Sequence, residues 1–171
     1  MFSICKRAVE VLYPEVRREW KFAVCCGDHT YAAKNAFLQH NPEGQWLACW
    51  VHVYLHCTKK AKPWFTGTQN EKTVTANWFK VQVKMLHACR TANQMRRRWG
   101  HVSDVLRAQG NHLVQKWFDS TYMREDWVNW YFSASGVPTV CPNQNAVESY
   151  HNALKVLLTA LSCSAVVGSE L

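Results

Sequence analysis

A chain of 171 residues, 48% of them hydrophobic, has the apolar mass for one domain with a buried core. Its 9 Trp, 7 Phe and 6 Tyr exclude a disordered chain, which lacks the aromatic surface that folding buries. A net charge of +8 favours polyanionic partners such as nucleic acid, and no run approaches the ~20 apolar residues that a membrane span requires.

The first residues carry Lys6 and Arg7, but no apolar run long enough for a signal peptide follows them. The 8 cysteines therefore read as reduced thiols or metal ligands in an intracellular protein rather than as disulfides. Phe2, Cys5, Val9 and Leu12 recur at spacings of three and four, which predicts an amphipathic helix over 2–12, limited by Pro14. A charged linker, 15–19, follows. Residues 22–26 form a short apolar run ended by Gly27 and Asp28, the pattern of a strand buried on both faces. Residues 31–39 are rich in helix formers, with Thr30 or Asp28 available as a cap.

After a turn at 41–44, residues 46–50 predict a second strand and 51–60 a helix leaving it. Residues 63–70 read as a loop, and 71–132 as helical with breaks near Gly100 and Gly110. Along that stretch Trp78, Phe79, Val83, Leu86, Met95, Trp99, Val102, Leu106, Leu113, Trp117, Phe118, Trp127 and residues 130–132 recur at helical intervals. They are expected to build a core rather than platforms for bases. A connector at 133–142 leads to a last helix over 143–161, with Glu148 in its first or second turn, and then to an apolar tail. This order of elements predicts an α/β fold whose sheet is incomplete, since two strands do not make an independent sheet.

Asp28 stands where a strand ends and a helix begins, a place where α/β folds put functional side chains; it also suits a cap or turn. Glu148 is either a ligand or a charge that favours its helix N-terminus. Cys49, His52 and His56, with Cys57, offer four zinc-type ligands, to which Cys25, Cys26 or His29 would add a second segment; the alternative is a core Cys and satisfied core His. Lys59, Lys60 and Lys62 form one basic cluster, and Arg96, Arg97 and Arg98 another, after Lys84 and Arg90. Each is either a solvated helical face or a contact for phosphates. The sequence has no Gly-rich phosphate loop, Gly-x-Ser-x-Gly elbow or His-Glu-x-x-His.

Three pieces in order, Ala23-Val-Cys-Cys-Gly-Asp28-His-Thr-Tyr-Ala-Ala-Lys-Asn-Ala36, Leu47-Ala-Cys49-Trp-Val-His52 and Asn143-Gln-Asn-Ala-Val-Glu148-Ser-Tyr-His-Asn-Ala-Leu-Lys155, resemble the Mutator-like element transposases. The resemblance spans about 1–158 and implies a partial RNase H-like core with an Asp–Asp–Glu metal site and a helical insertion at 58–135, within a single domain over 1–171. Asp28 matches the family's second Asp, Glu148 its Glu, and Cys49 and His52 its Cys-x-x-His near the site. The family's first Asp has no counterpart, which implies a fragment truncated at its N-terminus and inactive alone. Mg²⁺ or Mn²⁺ is the implied cofactor, with zinc as a second expectation. Double-stranded DNA is the implied partner, with Lys59, Lys60, Lys62, Arg96, Arg97 and Arg98 on its phosphates. A homo-oligomer and a nuclear location complete the expectation. The competing reading is a non-catalytic DNA-binding or zinc-stabilised interaction module.

Overall fold

The computed structural model describes residue 11, residues 22–137 and residues 140–142. Apart from Val11, the expected helix at 2–12 lies outside the described residues, as do the helix at 143–161 and Glu148 within it. The fold of the described residues is mixed α/β and mostly helical.

Strand β1 (Val24–Gly27) and strand β2 (Gln45–Ala48) are parallel and joined through helix α1 (Tyr31–His40), so the three form one β–α–β unit. The register pairs Cys26 with Leu47 and Gly27 with Ala48. Gly27 is required there by space, because a Cβ at that position would stand 2.4 Å from the Trp46 indole. The expectation of a strand buried on both faces is corrected for β1. Val24, Cys25 and Cys26 are half-buried and only Gly27 is buried, whereas Trp46, Leu47 and Ala48 of β2 are all buried. The physical reason is coverage. Beyond β1, β2 also meets the segment after the last described helix, where its Ala48 N–H donates to the Asn129 carbonyl at 3.2 Å.

Helix α2 (Trp50–Lys60) leaves β2 directly, and a 3₁₀ turn (Lys62–Trp64) leads through a loop to α3 (Gln69–His87), α4 (Ala92–Ala108) and α5 (His112–Tyr122). Thr68 starts α3 with a capping box: its hydroxyl accepts from the Glu71 N–H at 3.4 Å while the Glu71 carboxylate accepts from the Thr68 N–H at 2.7 Å. Each helix has a stripe at helical period facing inward: Ala76, Phe79, Val83 and Leu86 on α3; Met95, Trp99, Val102 and Leu106 on α4; Val114, Phe118 and Tyr122 on α5. Their aromatic rings meet edge-on or tilted, as with Phe79–Phe118 at 5.5 Å and Trp99–Phe118 at 4.4 Å.

The expected break near Gly100 does not occur, since Gly100 lies within α4. The chain breaks at 88–91 instead, where Thr91 caps α4 by accepting from the Gln94 N–H at 3.1 Å. Cap chemistry at Thr91 sets this boundary, and a single glycine costs a helix too little to end it. The break near Gly110 is present. Gly110 has φ +74°, its N–H donates to the Arg107 carbonyl, and the Asn111 N–H donates to the Leu106 carbonyl at 2.8 Å, which together make a Schellman ending. Helix α5 ends at Tyr122, so Trp127 and Trp130 are core residues held by turns rather than by a helix. Leu113, expected in the core, is 68% exposed.

Candidate functional site at the end of the parallel strands

Parallel pairing puts the C-terminal ends of both strands side by side, so Asp28 after β1 and Cys49 after β2 become neighbours. The Cys49 N–H continues the ladder by donating to the Gly27 carbonyl at 2.8 Å. Cys49 is the N-cap position of α2, and His52 follows within the first turn of that helix. There His52 Nδ1 stands 3.0 Å from Asp28 Oδ1, with the Asp28 side chain 52% exposed and that of His52 25% exposed. The Asp at the end of one strand and the His of the Cys-x-x-His after the other thus form one acid–imidazole pair. Thr30, rather than Asp28, occupies the N-cap position of α1, and it makes no side-chain capping bond.

One turn along α2, His56 Nδ1 is hydrogen-bonded to the Tyr122 hydroxyl at 2.9 Å. His29 packs between Tyr122 and Trp127, with ring centroids 5.0 Å and 4.0 Å away. Burial, and then the charge of His56, lowers His29 to about 4. Burial also lowers His56 and raises the Tyr122 phenol. From sequence, His56 groups with the zinc-type ligands and Tyr122 stays outside the set. The i, i+4 spacing of His52 and His56 was the available signal, since it sets both on one face of a helix.

Three thiols, Cys26, Cys49 and Cys141, are close enough to influence one another. The Cys26 thiol is pushed above its ordinary range, first by its hydrogen bond with Cys49 and then by burial. Cys141 Sγ lies 3.8 Å from His87 Nε2, while His87 Nδ1–H donates to the Trp130 carbonyl at 2.7 Å. Trp50 stacks flat on the His87 ring, with centroids 4.3 Å apart and planes at 8°. Cys57 is buried, and burial raises its thiol to well above the ordinary value. Among the described residues, no group of three or more His, Cys, Asp and Glu could hold a metal ion. Cys49, His52, His56 and Cys57 therefore do not converge: the first is at the end of the strands, the next two face Asp28 and Tyr122, and the last is in the core.

No family model, curated protein or solved structure matches the chain.

The basic residues separate into two groups of different character. Lys59 and Lys60 are exposed in the last turn of α2, and Lys62 opens the 3₁₀ turn. Arg96 and Arg97 are exposed on α4, but Arg98 is turned onto α3, where its guanidinium reaches Gln82 Oε1 at 3.4 Å and Met85 Sδ at 2.7 Å. Arg98 is a packing residue here. The aspartates of the helical region are likewise engaged: Asp104 pairs with Arg107 at 2.7 Å, Asp126 with Lys34 at 2.9 Å, and Asp119 accepts from Trp99 Nε1 and Gln115 Nε2. No helix among the described residues is long and apolar enough to cross a membrane.

Proposed function

We propose that the chain is a catalytic-domain segment of the Mutator-like transposase type that binds double-stranded DNA in the nucleus and is inactive alone, with its β–α–β unit as part of an RNase H-like sheet. One observation carries the reading: two motifs that the resemblance treats separately, the strand-ending Asp28 and the Cys49-x-x-His52, meet with His52 3.0 Å from the Asp28 carboxylate. A partly exposed carboxylate at the end of a parallel strand suits a hard divalent cation, because oxygen ligands and access to water are what Mg²⁺ requires. Bound Mg²⁺ or Mn²⁺ would supply charge stabilisation for phosphodiester displacement. Asp28 fits that role as one ligand, Glu148 is the second matched carboxylate, and the sequence offers no match for the family's first Asp.

With two matched carboxylates, the 171-residue chain is expected to bind divalent ions weakly and to leave duplex DNA unnicked in Mg²⁺. The test is thermal denaturation with and without Mn²⁺ for the parent chain, Asp28→Asn and Glu148→Gln, run beside a plasmid nicking assay. A rise in melting temperature with Mn²⁺ that either substitution abolishes supports the reading. An ion effect that ignores both substitutions, or none at all, overturns it. Robust nicking that survives Asp28→Asn would also sink it.

The second reading, a DNA-binding module without catalysis, is favoured by the lysines at the end of α2, which among the described residues pair with no carboxylate. Zinc analysis of the purified chain separates the zinc-stabilised form of that reading, which requires stoichiometric metal lost on Cys49→Ser.

A further inference from the structure

A groove of about 510 Å³ opens where the end of α2, the 3₁₀ turn and the start of α3 come together. Its lining is Thr58, Lys59, Lys62, Pro63, Gln69 and Lys72, so it carries three ammonium groups and no carboxylate. The volume falls in the ~300–1,000 Å³ range of clefts that hold small ligands or a few linked groups. The 3₁₀ turn is anchored in the core on both sides: Ala61 before it is fully buried and Phe65 after it nearly so. A second anchor holds the loop from the far side, where the Thr66 N–H donates to Asn111 Oδ1 at 2.8 Å. The nearest carboxylate on α3, that of Glu71, accepts from both the N–H and the hydroxyl of Thr68 in the capping box. None of Lys59, Lys62 and Lys72 is ion-paired among the described residues. The three lysines come from three successive elements yet face one concavity, which a solvated helical face does not produce.

Trp64 follows Pro63 in the chain and is 38% exposed, with its indole set edge-on to Trp117 at 5.2 Å. Trp64 does not line the groove itself but shares the 3₁₀ turn with Lys62 and Pro63, which do, so this turn holds the two parts of a single-strand platform: cations for the phosphates and a partly exposed ring on which a base stacks. A duplex keeps its bases stacked inside and cannot use the ring. We propose that this groove binds single-stranded nucleic acid, with Lys59, Lys62 and Lys72 on consecutive phosphates and Trp64 stacked on an unpaired base. The inference rests on the nucleic-acid half of the proposed function and extends it from duplex phosphates to a single strand.

The experiment uses the full chain without divalent ions, so that Asp28 and Glu148 take no part. Fluorescence anisotropy is measured with a labelled oligothymidylate and with a duplex of equal length, and inorganic tripolyphosphate serves as competitor. The parent chain is expected to prefer the single strand. Lys62→Gln with Lys72→Gln should lower the slope of log K against log salt by about 1.4, two phosphate contacts at ~0.7 each. Trp64→Ala should weaken oligothymidylate by about fivefold or more, with Trp64→Phe restoring much of the loss and tripolyphosphate unaffected. Arg107→Gln with Arg124→Gln, two exposed arginines outside the groove lining, is the control and should change little. Equal loss in the arginine control, no loss in the lysine variant, or equal affinity for duplex and single strand with Trp64→Ala silent would each overturn the assignment. If the groove binds as expected while the Mn²⁺ effect ignores Asp28, the groove stands and the transposase reading falls. If Mn²⁺ acts through Asp28 while the lysine variant loses nothing, the transposase reading stands and the groove falls.

Discussion

The β–α–β unit and the three-helix region after it are built from similar residues but hold them in opposite ways. In α3, α4 and α5 the buried side chains are, Ser103 apart, apolar or aromatic and recur at helical period. At the end of β1 and the start of α2, titratable groups crowd together instead: Asp28 on His52, His56 on Tyr122, His29 between two aromatic rings, and Cys26 on Cys49. The helices supply stability by excluding water from hydrocarbon. The strand ends accept the cost of partly burying polar groups, which is where folds place chemistry. Stability and candidate chemistry thus occupy different regions, and substitutions in each should behave differently.

The largest effect should come from Phe118→Ala. Phe118 is fully buried and meets Phe79, Trp99, Tyr122 and Trp130, so its loss leaves a cavity worth about 3–5 kcal/mol. Urea denaturation checks this, and a loss below about 1 kcal/mol would show that the helical region is not the main source of stability. In the other region, Gly27→Ala forces a methyl against the Trp46 indole and should cost about 1–3 kcal/mol while shifting the Trp fluorescence. Because Asp28 is the next residue, the same substitution should also disturb the Asp28–His52 pair, which the His52 ring signals in NMR would report.

A third experiment addresses the titratable cluster. His29, held neutral to about 4, contributes stability that is complete above its ordinary value near 6.5 and lost as pH falls from there through about 4. His56 and His87 are lowered by burial and act with the same sign. The melting temperature should therefore drop between pH 7 and pH 4, and His29→Phe, which keeps a ring against Tyr122 and Trp127, should flatten that drop. Parallel curves for the two proteins would show that His29 is not the group responsible. The smallest effect belongs to Gly100→Ala in α4: a Cβ there meets nothing within 4 Å, so the chain should gain about 0.5–1 kcal/mol. A destabilised variant would mean that this face of α4 is covered.

Local pattern was legible wherever a single element carries its own signal. The stripe Met95, Trp99, Val102 and Leu106 could face only one way on a helix, and the turn chemistry of Gly110 was readable because few residues accept a positive φ. The basic cluster at 59–62 was legible as charge, but not as a groove, since Gln69 and Lys72 join it only when α3 folds back beside the 3₁₀ turn. The break at 88–91 was missed because a Thr cap is a weaker mark than a glycine, yet Thr91 sets it and Gly100 does not. Asp28 and the Cys49-x-x-His52 were each visible from sequence; their contact was not.

By itself, then, the sequence determined helical character over 31–39, 51–60 and much of 71–122, the inward stripe of α4, a strand followed by Asp28 and a basic balance that favours polyanions. Those features follow from interactions over a few residues, where backbone geometry and side-chain period decide the outcome. Only the tertiary structure decided that His52 turns to Asp28, that His56 reaches Tyr122 across 66 positions, and that three lysines share one concavity. Those pairings depend on parallel register and on helix packing, which join residues that no period in the chain connects.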